Sequence, residues 1–293
     1  MQASGFKSFV WLLRRAAVTT YEDGCLGTAK SAAYSGLLSF FPILTTVALL
    51  LVRVRAAQAA DVIARFFFEV VPPGTKELVL RRFTTAGERP ASLLVIALLV
   101  SLWAASGLIL SLIDGFNAVY KVPANRPMVR GRLVAIALVF CSALPGLGAT
   151  AMILFGARTE LWLVTAAGIL DQGEQLVGGL LWLGKLTRYA AAFGATALTT
   201  VLLYKLGPNR PLPWRFVWPG SLLSTFLWLA ATLLFAWYVR DIADYNVLYG
   251  SVGAVIALLI WMYLLSLITL YGCAFNAEYE GLARSAARRR SPA

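Results

Sequence analysis

Nine residues could do chemistry in an otherwise apolar chain: Ser35, Ser39, Asp114, Asn117, Asn246, Tyr249, Gly250, Ser251 and Asn276. Their chemistry is that of binding. Hydroxyls and carboxamides both donate and accept hydrogen bonds, and glycine lets a backbone or a ligand approach closely. Asp114 and Asn117 stand three apart, so a helix would bring them near one face, and an ionisable group at membrane depth marks a functional candidate. The plain alternative is a helix end paired with Arg130 or Arg132. Asn246, Tyr249, Gly250 and Ser251 cluster where an extended or distorted turn should meet a helix start, whose free N–H groups favour an anionic headgroup. The alternative there is a cap network buried against neighbouring helices.

The same inventory excludes other chemistry. The chain has no histidine, which removes the commonest general base and metal ligand. No carboxylates cluster in the sequence and no glycine loop could cradle a phosphate, so the usual parts for phosphodiester hydrolysis are missing. Cys25, Cys141 and Cys273 lie far apart without metal spacing, as small apolar residues would. No enzyme activity, cofactor or metal is expected.

The elements that must position these residues are membrane helices. Hydrophobic residues make up 59% of the 293, and mean hydropathy is +0.74, far above a soluble domain. Lys and Arg outnumber Asp and Glu by 26 to 14. They fall in the gaps between apolar runs, as membrane anchors do, so nucleic acid is not the expected partner. The expected architecture is an all-α, polytopic bundle forming a single membrane domain. Six transmembrane spans are predicted at 31–52, 91–113, 133–157, 180–204, 216–239 and 252–276. The last lies in a stretch without a charge between Asp244 and Glu278.

The intervening segments read as interfacial. Residues 1–30 carry no cleavable signal and form an interfacial helix, with Phe6, Phe9, Val10 and Leu13 on its apolar face. Residues 53–90 form an outer amphipathic segment, broken at Pro72-Pro73-Gly74. The stretch around 161–175 is an interfacial excursion, and 281–293 is a basic tail suited to anionic lipid. Pro42 should kink the first span, and Pro145, Gly146 and Gly148 should thin the third for close packing. Gly220, Ser221, Ser224 and Thr225 give the fifth a small-residue stripe. With both termini cytoplasmic, fifteen of the 26 basic residues lie inside, which sets the expected orientation in a bacterial inner membrane.

Four stretches carry a resemblance: AAYSGLLSFFPIL, FNAVY, WPGSLLSTFLW and FAWYVRDIADYNVLYGSVGAVIALLIWMYL. The chain resembles the YihY/BrkB family of bacterial inner-membrane proteins over essentially its whole length. The resemblance implies six spans and a location in the inner membrane. Members were long labelled ribonuclease BN-like, and the family is not considered to be a real nuclease. Family members carry an acidic residue in a G-A-E-x-N pattern near the end of the sixth span. Here it reads Gly272-Cys273-Ala274-Phe275-Asn276, and Ala274 cannot titrate.

Two functions fit. The first is a transporter or flippase for a lipid or amphiphilic envelope component, with the nine residues lining a cavity. The second is a non-transporting scaffold for envelope assembly, in which the same residues lock helices together. The partners expected are membrane lipids, with anionic lipid at the basic termini and room for a homo-oligomer. No ATP-binding motif is present, so active pumping would draw on an ion gradient.

Overall fold

The computed structural model describes residues 2–53, 91–123, 126–166, 179–241 and 245–290; within them the side chains at 2–7, 48–53, 91, 149–166, 179–181, 183, 240–241, 245–251 and 288–290 are not described. Seven helices account for them: α1 (Gln2–Glu22), α2 (Cys25–Arg53), α3 (Ala91–Val119), α4 (Met128–Ala166), α5 (Gly179–Leu206), α6 (Trp214–Asp241) and α7 (Tyr245–Arg290). No strand occurs among the described residues. The outer amphipathic segment expected at 53–90 lies, from residue 54 on, outside them.

Five helices are long and apolar enough to cross a bilayer: Ser92–Val119, Met128–Gly148, Gly184–Leu206, Trp214–Val239 and Val252–Ala287. Only 11–33% of the residues in their most apolar windows are buried, so their apolar surface faces outward, as it must in lipid. The expected first span falls on α2, whose apolar end lies past the described side chains; the count of six is therefore not reached among the described residues.

Two boundaries differ from the sequence reading. α4 continues as helix through Ala166, past the end of the span expected at 157 and into the excursion expected around 161–175, whose remainder lies outside the described residues. α7 is helical from Tyr245 to Arg290, which includes both the expected distorted entrance and most of the basic tail. Its 46 residues span about 70 Å at 1.5 Å per residue, well beyond the hydrocarbon layer. Among the described residues, a Cβ at Gly146 or Gly148 would meet nothing within 4 Å. Leu144 and Leu147 beside them are exposed, because this stretch of α4 turns outward.

α1 lies across the bundle. Phe9 meets Phe275 edge-on at 6.0 Å, and Thr19 donates to Glu278 Oε1 at 2.6 Å. Leu13, between them on α1, accepts from the Tyr271 hydroxyl at 3.0 Å, so the contacts do not advance in step along the two helices. The two helices must cross. The stripe that α1 buries is Leu12, Ala16, Thr19 and Thr20, whereas Phe9 and Val10 of the expected face are more than a third exposed. Gly24, at φ 69°, makes the turn into α2 in a conformation that costs other residues energy. The main core gathers at this end from all seven helices, with Phe116, Tyr204, Val217, Leu270, Cys25 and Cys273 among its most buried members.

Candidate functional site

A polar seam between α5, α6 and α7 organises the interior. Thr200 and Tyr204 lie one turn apart on α5, and Ser221, Ser224 and Thr225 share the facing side of α6. All five are fully buried. The Tyr204 hydroxyl donates to the Thr269 carbonyl of α7 at 2.6 Å and lies 2.7 Å from the Ser224 hydroxyl. Thr200 and Thr225 hydroxyls hydrogen-bond at 3.2 Å, and Trp228 Nε1 donates to the Leu265 carbonyl at 2.9 Å. The seam therefore crosses three helices. It forms because α6 and α7 touch nearly backbone to backbone at Gly220 and Gly272: a Cβ on Gly220 would strike the Gly272 carbonyl oxygen, and one on Gly272 would strike Ser224 Oγ.

Asn276 closes the seam. Its Oδ1 accepts from the Gly220 N–H at 2.7 Å and its Nδ2 donates to the Val217 carbonyl at 2.9 Å, with the residue fully buried. These are backbone groups on either side of Pro219, which lies inside α6 and cannot donate. The carboxamide supplies one donor and one acceptor where proline disturbs the helix ladder.

The other candidates divide. Ser39 is buried and donates to the Gly36 carbonyl of its own helix at 2.7 Å. Ser35 lies beside Gly107 of α3, within 3.7 Å of where a Cβ there would sit. Asn117 is buried and its Oδ1 accepts from the Asn209 N–H at 2.8 Å, pinning the α5–α6 connection to α3. Asp114, expected on the same face, is exposed. Three residues turn a helix by 300°, and the remaining 60° separates a packed position from an open one. Asp114 makes no ion pair among the described residues; Arg132 lies over the Trp103 ring at 3.9 Å and donates to its carbonyl instead. Asn246, Tyr249, Gly250 and Ser251 belong to the first turns of α7, and their side chains lie outside the described set. Ser39, Asn117 and Asn276 are thus occupied by bonds to different backbone segments and do not meet as one cluster.

A charged end that the sequence reading passed over lies where α1 crosses α7. Glu280, 4% exposed, takes two bonds from Arg210 Nη2, at 2.9 and 3.1 Å, and one from Arg284 at 2.6 Å. Glu278 pairs with Arg15 at 3.5 Å. Arg126 reaches the carbonyls of Leu206, Gly207 and Pro208, capping the end of α5. Arg210 lies 4.9 Å over the ring of Tyr120, whose buried hydroxyl has no hydrogen-bond partner among the described residues. Asp23, in the turn before α2, has one buried oxygen without a partner; burial raises its carboxyl above the usual range, against a weaker pull from Lys121. Of this network only Glu280 and Arg284, four apart on α7, had a sequence signal. The rest depends on contacts between distant segments.

Two apolar grooves lie at this end. One, of about 510 Å³, lies between α1 (Ser8, Phe9, Leu12), α6 (Pro219, Leu223) and α7 (Phe275, Tyr279). The other, of about 360 Å³, is walled by α1, α2 and α7 around Thr20, Leu267 and Tyr271. No group of three or more Cys, Asp or Glu side chains that could hold a metal occurs among the described residues.

A bundle of long apolar helices with outward apolar faces, joined by a buried polar seam, defines a polytopic membrane protein. The profile of the family described as Virulence factor BrkB matches residues 17–293, and the chain belongs to that family. It is 29% identical over 258 residues to the ribonuclease-like protein YfkH of Bacillus subtilis (strain 168), covering 86% of this chain and 89% of that one. It is 27% identical to a UPF0761 membrane protein of Alkalilimnicola ehrlichii and 28% identical to one of Janthinobacterium sp. (strain Marseille), over 87% and 93% of this chain. The chain spans 55% and 61% of those two proteins' own length. No solved structure matches.

Proposed function

We propose that this protein handles a lipid or amphiphilic envelope component in the bacterial inner membrane, as a transporter or flippase, with both termini cytoplasmic. The observation that carries the reading is the pair of apolar grooves beside a charged helix crossing. Such grooves suit the apolar part of an amphiphile that stays in lipid while its polar part is handled at the protein's edge. Most buried polar side chains among the described residues are bonded within the protein, which supports a path along the surface of the bundle over one through a polar core. Asn246, Tyr249, Gly250 and Ser251 are assigned to the opposite end, where they would receive a headgroup at the start of α7. No catalytic role is proposed for any residue.

Proteoliposomes test this. A fluorescent phospholipid in the inner leaflet is protected from an impermeant quencher, and the protein should increase its exposure well above that of protein-free vesicles. Asn246→Ala combined with Ser251→Ala should abolish the increase and leave thermal stability intact. No increase with wild-type protein favours the second reading, a static scaffold, to which the saturated seam of Thr200, Tyr204, Ser224 and Asn276 lends specific support.

A further inference from the structure

We infer that the groove between α1 and the α6–α7 pair binds an anionic phospholipid, holding an acyl chain on its apolar walls and the headgroup phosphate on Arg215. The inference rests on the reading above in naming the headgroup chemistry of the amphiphile assigned to this groove. Arg215, Pro219 and Leu223 are four apart and form one stripe of α6. Pro219 and Leu223 wall the groove, so Arg215 stands one turn beyond it, at the end that Tyr279 closes. The guanidinium lies 4.6 Å over the Phe216 ring, and that ring meets Tyr279 edge-on at 6.0 Å. Stacking on an aromatic face leaves the in-plane N–H donors free for a phosphate.

Charge complementarity decides the occupant. Arg215 is exposed, and no carboxylate among the described residues pairs with it. Three acids of this end already have basic partners: Glu278 has Arg15, Glu280 has Arg210 and Arg284, and Asp23 has Lys121. Trp214 and Trp218, half-exposed on the same turns of α6, are the residues that mark headgroup depth. An apolar slot ending in a cation with which no described carboxylate pairs matches an acyl chain below a phosphate that carries net charge. A zwitterionic headgroup brings its own ammonium and gains less.

Native mass spectrometry of the full chain, released from micelles containing equal phosphatidylglycerol and phosphatidylethanolamine of matched acyl chains, tests the assignment. Wild-type protein should retain the anionic lipid about fivefold better, the factor expected for one basic side chain at a lipid surface. Arg215→Gln should bring the ratio close to one, whereas Arg130→Gln, at an exposed position outside the groove, should leave it unchanged. Leu223→Trp, which fills the groove, should lower retention of both lipids. Equal retention by wild type, a preference that survives Arg215→Gln, or an equal loss in Arg130→Gln overturns the site. The readout is retention and not movement, so a protein that keeps the preference but moves no lipid sinks the transport reading alone.

Discussion

Replacing Asn276 by alanine separates a ligand-binding asparagine from a structural one. The side chain is fully buried and its two polar atoms each hold one backbone group of α6, at 2.7 and 2.9 Å. Interhelical hydrogen bonds in membranes contribute about 0.6 to 2 kcal/mol each. Truncation also leaves the Gly220 N–H buried without this partner, a penalty of about 1–3 kcal/mol. The Val217 carbonyl suffers less, because Ser221 Oγ also donates to it at 2.9 Å. The sum is roughly 3 kcal/mol, or on the order of 5 °C in melting temperature for a chain of this size. Asn276→Asp should fare no better at neutral pH, since a carboxylate can accept from Gly220 but presents a second acceptor to the Val217 carbonyl. The assay is intrinsic tryptophan fluorescence on heating in detergent, with no lipid or substrate added. A melt of Asn276→Ala within about 2 °C of wild type would refute the clamp and return Asn276 to the list of binding residues.

Three further outcomes are expected. Gly220→Ala should prevent accumulation in the membrane, because its Cβ would meet the Gly272 carbonyl and the Asn276 carboxamide, whereas Gly281→Ala, with nothing within 4 Å, should be silent in the same immunoblot. Asp23→Asn should stabilise the protein at neutral pH. The folded state raises this carboxyl, so the folded form binds its proton more tightly; stability is greatest below the unfolded pKa and falls as pH rises through the folded one, and the variant should flatten that fall in a pH series of melts. Arg288→Cys in a Cys-free background should resist an impermeant thiol reagent applied to intact cells; labelling from outside would reverse the proposed orientation.

Much of this protein was legible one residue at a time. Bilayer hydrocarbon cannot satisfy backbone groups, so long charge-free runs could only be helices, and the basic residues between them marked where the chain meets water. The stripe of Gly220, Ser221, Ser224 and Thr225 was readable for the same reason: small residues at helical spacing allow close approach, and all four are buried. Tertiary structure decided what each polar residue bonds to. Asp114 and Asn117 differ by 60° around α3, and only the position of α5 and its following loop makes one buried and leaves the other exposed. Asn276 looked like a candidate ligand until Pro219, 57 residues earlier, was placed beside it with its neighbours' N–H and carbonyl facing the carboxamide. Arg210 and Glu280, or Arg15 and Glu278, carry no signal in sequence, because an ion pair between distant segments depends on how helices cross, and nothing local encodes that angle.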